Sequence, residues 1–298
     1  MGKQDAILRM PHEELEAIQL EGLKKTVVNV YEHVPFYKES FDKAGFDPYS
    51  VETLADLQKA PFVQKQDLRD AYPYGMLAVP LSDVKEIHMS SGTTGVATVG
   101  AYTDYDLKFW GECFARGVEL GEGDENDIMQ VCYGYGLFTG GLGAHYGGVA
   151  AGCTTIPASA GNTERQIRIL RTMGTTILCC TPSYAMHIAD TALAMGLDPK
   201  KEFSLKFGIH GAEPMSDNFR EELENKLGYK VLDVYGLTET MGPGVAIECL
   251  QQTGLHLAED HFIAEIIDPA TGQVLPDGEW GELVITTVDR EASPVVRY

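Results

Sequence analysis

Thr176-Ile177-Leu178-Cys179-Cys180 is the stretch on which the fold turns. It is apolar or β-branched throughout, with no polar alternation, as in a strand buried on both faces. A helix is expected next over residues 182–195, then an apolar strand over 205–210, a helix over 217–227 and a strand over 231–235. Upstream lie expected strands over 128–132 and 154–157 and a helix over 163–173, capped at Asn162 or Thr163. Strands alternating with helices at this spacing predict an α/β chain with a largely parallel sheet.

Outward from that core the pattern changes. Residues 13–34 read as one helix, because Leu20, Leu23, Val27, Val30, Tyr31 and Val34 recur every three or four positions. Pro35 ends it, since the residue before a proline is pushed out of the helical region. Residues 47–80 carry short helical pieces broken at Pro48, Pro61, Pro73 and Pro80. Strands are expected over 84–89 and 96–102, with a helix over 103–120. After Met241 the stretches 255–267 and 281–287 alternate like half-buried strands, separated by Pro/Asp/Gly turns. The expected division is an N-terminal helical segment over 1–80, an α/β core over 81–240 and a β-rich subdomain over 241–298.

The chain has 298 residues, with 23 Lys and Arg against 44 Asp and Glu, a net charge of −21. Such an acidic surface argues against nucleic acid, whose phosphates need basic side chains, and against an anionic membrane. No apolar run reaches the roughly 18 residues of a membrane helix, and Met1-Gly2-Lys3-Gln4-Asp5 has no secretory apolar stretch. Six cysteines without a CxxC pair fit reduced thiols, so a cytoplasmic protein is expected.

Three polar groups stand at expected strand ends. Ser90-Ser91-Gly92-Thr93-Thr94-Gly95 joins two strands, and its glycines and hydroxyls suit phosphate oxygens as well as they suit an ordinary turn. Asp233-Val234-Tyr235-Gly236-Leu237-Thr238-Glu239 closes another strand. It offers a ring face, a hydroxyl and a carboxylate fit for Mg²⁺, or else a strand end followed by a helix cap at Thr238. His210-Gly211-Ala212-Glu213-Pro214 follows a third strand, where glycine would let backbone approach a flat ligand. In one parallel sheet these ends would converge on one crevice. Cys249 and His256 are suitable zinc ligands but need further ligands from elsewhere. Cys179 and Cys180 read as core, and His210 as a satisfied strand-end histidine.

Together these residues resemble the phenylacetate–coenzyme A ligase family of adenylate-forming enzymes. The resemblance covers nearly the whole chain. It rests on Val34-Pro35-Phe36-Tyr37, Ala78-Val79-Pro80, the 90–95 loop, Tyr133-Gly134-Tyr135-Gly136-Leu137-Phe138-Thr139-Gly140-Gly141, Gly211-Ala212-Glu213-Pro214, Tyr235-Gly236-Leu237-Thr238-Glu239, and Gly254-Leu255-His256 with Glu259-Asp260-His261-Phe262. It implies layered α/β subdomains with a β-rich subdomain after them. It also implies ATP-dependent activation of an aryl acid to an acyl-adenylate, then transfer to coenzyme A with release of AMP and pyrophosphate.

By resemblance Ser90, Ser91, Gly92, Thr93, Thr94 and Gly95 grip phosphates. Gly211, Ala212, Glu213, Asp233, Tyr235 and Gly236 line the nucleotide site, with Tyr235 stacked on adenine. Thr238 contacts the α-phosphate and Glu239 holds Mg²⁺. Tyr133, Tyr135, Phe138, Gly211 and Gly236 shape the aryl slot, and a homodimer is possible. Two departures stand out. Val96-Ala97-Thr98 replaces the lysine many relatives carry after the loop. The chain also stops at Val296-Arg297-Tyr298, so a piece of a longer ligase is expected, ending before a ribose-binding aspartate and a small C-terminal domain. Two other readings are open: an enzyme of the same branch adenylylating a deazaflavin cofactor, and a non-catalytic nucleotide-binding module.

Overall fold

A computed structural model describes residues 5–90 and 95–298 of the chain. In chain order the elements are α1 (Asp5–Leu8), α2 (His12–His33), α3 (Pro35–Ala44), α4 (Lys65–Asp70), β1 (Glu86–Met89), β2 (Val99–Tyr102), α5 (Asp104–Leu120), β3 (Ile128–Val131), α6 (Thr139–Ala151), β4 (Thr154–Ile156), α7 (Thr163–Thr172) and β5 (Ile177–Cys180). There follow α8 (Pro182–Ala194), α9 (Pro199–Glu202), β6 (Phe207–Gly211), α10 (Asp217–Leu227), β7 (Lys230–Leu237), β8 (Gly242–Glu248), β9 (Leu255–Leu257), β10 (Phe262–Ile267) and β11 (Glu282–Thr287). The chain divides into two compact units. Among described residues, one comprises Asp5, Lys108–Leu237 and Met241–Leu257. The other comprises Ala6–Leu107, Thr238–Thr240 and Ala258–Tyr298. No described helix is long and apolar enough to cross a membrane.

The first unit is built on a seven-stranded sheet of order β4-β3-β5-β6-β7-β8-β9. The strands from β4 to β7 run parallel, and β8 and β9 add antiparallel edges. Strand β5 is buried along its whole length. Its Ile177 and Cys179 face one core with Phe114 and Val118 of α5 and Ala144 of α6. Its Leu178 and Cys180 face the other, with Ile167 of α7, Ile188 of α8 and Leu223 of α10. Both faces are thus covered by helices, which is why the sequence shows a continuous apolar run there.

The glycine-rich stretch is a helix, α6, where the sequence alone assigns no element. Each glycine inside a helix costs about 1 kcal/mol relative to alanine. Packing explains their presence: a Cβ on Gly143 would lie 2.5 Å from Trp110, one on Gly147 2.3 Å from Phe114, and one on Gly148 2.7 Å from Met129. Helix α6 therefore approaches α5 and β3 by backbone contact.

In the second unit, Leu23, Val27 and Val30 of α2 are fully buried, as their spacing requires, beside Tyr37, Phe41, Val288 and Val296. Val34 is extended and Pro35 opens α3. Strands β1 and β2 form a separate antiparallel hairpin, as do β10 and β11. The alternating stretch 255–267 is thus divided: β9 joins the large sheet, while β10 pairs with β11 in the other unit.

Candidate functional site

The second unit carries a cluster around Glu239. Beyond Leu237 the chain turns through Thr238, Glu239 and Thr240 and returns as β8, so Thr238 caps no helix. All three turn residues are buried. The turn is pinned from below by Arg290, itself 2 % exposed, whose guanidinium donates to the carbonyls of Glu239 and Thr240 and to that of Ala101. The Glu239 side chain is thereby presented from a fixed backbone. Its Oε1 accepts from Thr98 Oγ1 at 2.8 Å and lies 3.0 Å from the Lys65 ammonium. A carboxylate this buried needs such partners to remain charged.

The same threonine ties this carboxylate to the loop of the β1–β2 hairpin. Ser90 N–H donates to the Thr98 carbonyl, and Thr98 N–H donates to Ser90 Oγ. Arg69 Nε donates to the Val96 carbonyl. Gly95 has φ +140°, in the region that favours glycine. Ser91, Gly92, Thr93 and Thr94 lie outside the described residues. Lys65, Thr98 and Arg290 are absent from the sequence-based site. Lys65 is 174 positions from Glu239 in the chain, and no local pattern joins them. Lys65 brings a positive charge to this cluster.

The first unit carries the remaining expected residues. Gly211 ends β6 so close to β7 that a Cβ would lie 2.2 Å from the Val234 carbonyl oxygen. Its N–H donates to the Tyr133 hydroxyl at 3.0 Å, joining the ends of β6 and β3. Ala212 takes a left-handed φ of +68°, a strain worth noting in a non-glycine residue. Glu213 accepts from the Ser183 N–H in the first turn of α8. Asp233 sits on β7, its pKa raised by burial and then by the Glu248 charge. Tyr235 is half-buried beside a bulge, and Gly236 lies against Gly242 where a Cβ would meet its carbonyl.

Of the expected aryl-slot residues, Tyr133 and Phe138 come together, ring centroids 6.5 Å apart. They line an apolar cavity of about 460 Å³. Tyr135 turns instead to His145 of α6, with 3.3 Å between Oη and Nδ1. Its hydroxyl pKa is raised by burial.

Two expectations are corrected. The three polar strand ends do not share one parallel sheet: the Ser90 loop closes an antiparallel hairpin of its own, and only the ends of β6 and β7 belong to the large sheet. A short loop joining adjacent strands forces antiparallel pairing, because a parallel return needs a crossover. Zinc at Cys249 and His256 finds no further ligand: among the described residues no three His, Cys, Asp or Glu side chains gather to hold a metal. In the acidic stretch 121–127, Asp127 is buried and paired with Lys206 at 2.7 Å. His210 is the satisfied strand-end histidine expected, bonded to the Cys180 carbonyl and to the Tyr229 hydroxyl. Cys179 and Cys180 are core, as expected.

Comparison with known proteins places these features. Residues 12–288 match the family described as AMP-binding enzyme. The chain is 49 % identical over 298 residues to the phenylacetate-coenzyme A ligase of Aromatoleum evansii, covering all of this chain and 68 % of that protein. It is 50 % identical over 281 residues to the enzyme of the same name from Pseudomonas putida, covering 94 % of this chain and 64 % of that protein. The chain thus spans about two thirds of the length of these relatives. A crystal structure of 2-hydroxyisobutyryl-CoA ligase, in an open conformation with 2-HIB-AMP and CoA, superposes with a TM-score of 0.90. It is 28 % identical, with 97 % of this chain and 69 % of that one covered. On the strength of a match that runs along the whole of this chain, the chain belongs to the AMP-binding enzymes and, within them, to the phenylacetate–coenzyme A ligase family of acid–thiol ligases.

Proposed function

We propose that this chain binds ATP and an aryl carboxylic acid of the phenylacetate type, joins them as an acyl-adenylate, and serves the transfer of the acyl group to coenzyme A. The observation that carries the reading is the Glu239 turn. A buried carboxylate is held by Thr98 and Lys65 at the base of a Ser/Gly/Thr loop, in a chain about half identical to named phenylacetate ligases. The 2-hydroxyisobutyryl-CoA ligase structure that holds both 2-HIB-AMP and CoA supports the same order of events.

In the first step a carboxylate oxygen of the acid bonds to the α-phosphorus. The bond from that phosphorus to the bridging oxygen breaks, and pyrophosphate leaves with the electron pair. Two anions must approach, so fixed positive charge and donors lower the barrier. Lys65 and the Thr238 hydroxyl are the groups the second unit offers, while Thr98 gives its hydroxyl proton to Glu239 and holds that carboxylate in place. Glu239 fits Mg²⁺ as one carboxylate ligand completed by phosphate oxygens and water, the usual way this ion is held. When bound, the ion would neutralise phosphate charge. On the first unit, Tyr235 stacks on the adenine and Ala212 and Glu213 border it. Tyr133 and Phe138 hold the aryl ring, and the Gly211 and Gly236 backbones allow a flat ligand close. In the second step the coenzyme A sulfur bonds to the acyl carbon, the thiol gives up its proton, and the acyl–oxygen bond breaks to release AMP.

Calorimetric titration of MgATP into the chain and into Glu239→Gln tests the proposal. Glu239→Gln is expected to weaken MgATP by about tenfold or more, the scale of losing a charge-assisted contact, with the melting temperature nearly unchanged. Equal affinity would remove Glu239 from the nucleotide site. Pyrophosphate exchange over a panel of acids, with and without coenzyme A, separates a thiol ligase from an enzyme that adenylylates a cofactor.

A further inference from the structure

The cavity behind Tyr133 and Phe138 is larger than a phenyl ring needs. A cavity of about 150 Å³ already takes benzene, whereas this one measures about 460 Å³. The additional space is bounded by Gly161, Thr181, Tyr184 and His187. The Tyr184 and His187 rings stand one helical turn apart on α8 with centroids 6.1 Å apart. His187 is exposed at the rim, and its imidazole makes no hydrogen bond among the described residues. Phe138 is 42 % exposed at the mouth.

The far wall is a held structure. Within residues 159–162, Ser159, Gly161 and Asn162 all have left-handed φ, at +61°, +81° and +50°. Such a run persists only where its surroundings over-determine it. Here the fully buried Gln166 donates from Nε2 to the carbonyls of Ser159 at 2.7 Å and Gly161 at 3.1 Å. Gln130 donates in turn to Gln166 Oε1 at 2.8 Å. The Tyr184 hydroxyl donates to the Gly161 carbonyl at 3.2 Å, so the wall and α8 are tied together. An apolar, aromatic-lined cavity with one uncommitted polar group at its rim is the arrangement that orients a mostly apolar ligand by a single polar contact.

We propose that this cavity is a subsite for the end of the acid's ring remote from its carboxyl, and that it selects aromatic acids bearing a hydrogen-bonding ring substituent, which His187 contacts. The proposal rests on the reading of the chain as an aryl-acid-activating protein and goes beyond it by naming the substituent class and the residue that reads it.

The test is calorimetric titration of the 298-residue chain with phenylacetate and with 4-hydroxyphenylacetate, repeated for His187→Ala and His187→Gln. His187 is exposed, so both variants fold, and unchanged MgATP affinity serves as the control. His187→Ala is expected to weaken 4-hydroxyphenylacetate by about fivefold, the scale of one neutral hydrogen bond, and to leave phenylacetate within about twofold. His187→Gln, which keeps a hydrogen-bonding end, recovers most of the loss. Equal loss for both acids, or none for either, overturns the subsite while leaving the aryl-acid reading intact. Failure of the unsubstituted chain to bind either acid overturns both.

Discussion

Two side chains carry most of what can be tested at the residue scale. Lys65 is half exposed, yet its ammonium lies 3.0 Å from a carboxylate that is only 4 % exposed. Lys65→Met leaves Glu239 with the Thr98 hydroxyl as its side-chain partner among the described residues, and it removes the positive charge from the cluster. We expect MgATP affinity to fall about tenfold, with a larger loss for ATP than for AMP because the outer phosphates carry the extra charge. Equal loss for both nucleotides would assign Lys65 to holding Glu239 alone. His210 is the second. A carbonyl can only accept, so Nδ1 holds the proton shared with Cys180 and Nε2 accepts from Tyr229; the ring is neutral. Burial lowers its pKa from 6.5 to about 4. The unfolded chain therefore binds a proton that the folded chain refuses between these values, and stability falls as pH drops from about 6.5 towards 4. Urea unfolding at pH 7 and pH 5 should show a loss that shrinks in His210→Gln. An identical loss in both proteins would assign the acid sensitivity to other groups.

Elements follow different rules, because there the backbone itself is the packing surface. Helix α6 contains glycines that propensity alone would forbid, and the cause lies in α5 and β3. Gly147→Ala would place a methyl group 2.3 Å from the buried Phe114 ring. We expect a destabilisation of about 1–3 kcal/mol from overpacking, exceeding the roughly 1 kcal/mol that alanine gains in a helix. For Gly140→Ala the three nearest atoms all belong to the Phe138 ring, which is exposed and can swing aside, so it should be close to neutral. Similar melting points for the two variants would refute the close-packing account. Gln166 acts on an element that has no regular structure. Gln166→Leu would strip the donors from the 159–162 loop, costing about 2–4 kcal/mol for the carbonyls left unpaired, and amide exchange in that loop should rise. These positions were illegible beforehand. Glutamine in a helix reads as surface, and a glycine run reads as a loop, until the neighbours across the packing interface are known.

At the scale of the whole molecule, the net charge of −21 has a physical consequence independent of any site. Self-repulsion of an acidic chain is screened by salt, so the melting temperature should climb between about 10 and 300 mM NaCl, where the Debye length shrinks from about 30 Å to under 8 Å. A flat or falling curve would mean that local ion pairs such as Arg220–Glu248 outweigh the repulsion. The sequence by itself determined the parallel α/β core. Apolar runs such as 176–180 can be satisfied only between two helical layers, and that requirement is local in the chain. It also determined the family, because ordered motifs spread from Val34 to Phe262 are preserved as residues. Only the tertiary structure decided which chemical groups meet. The Ser90 loop belongs to a separate hairpin, β8 and β9 finish the large sheet, and Lys65, Thr98 and Arg290 converge on Glu239 from distant segments. The reason is one of range. Hydrophobic periodicity is set by residues a few positions apart, whereas a buried charge finds its partners through space, and no spacing along the chain encodes that distance.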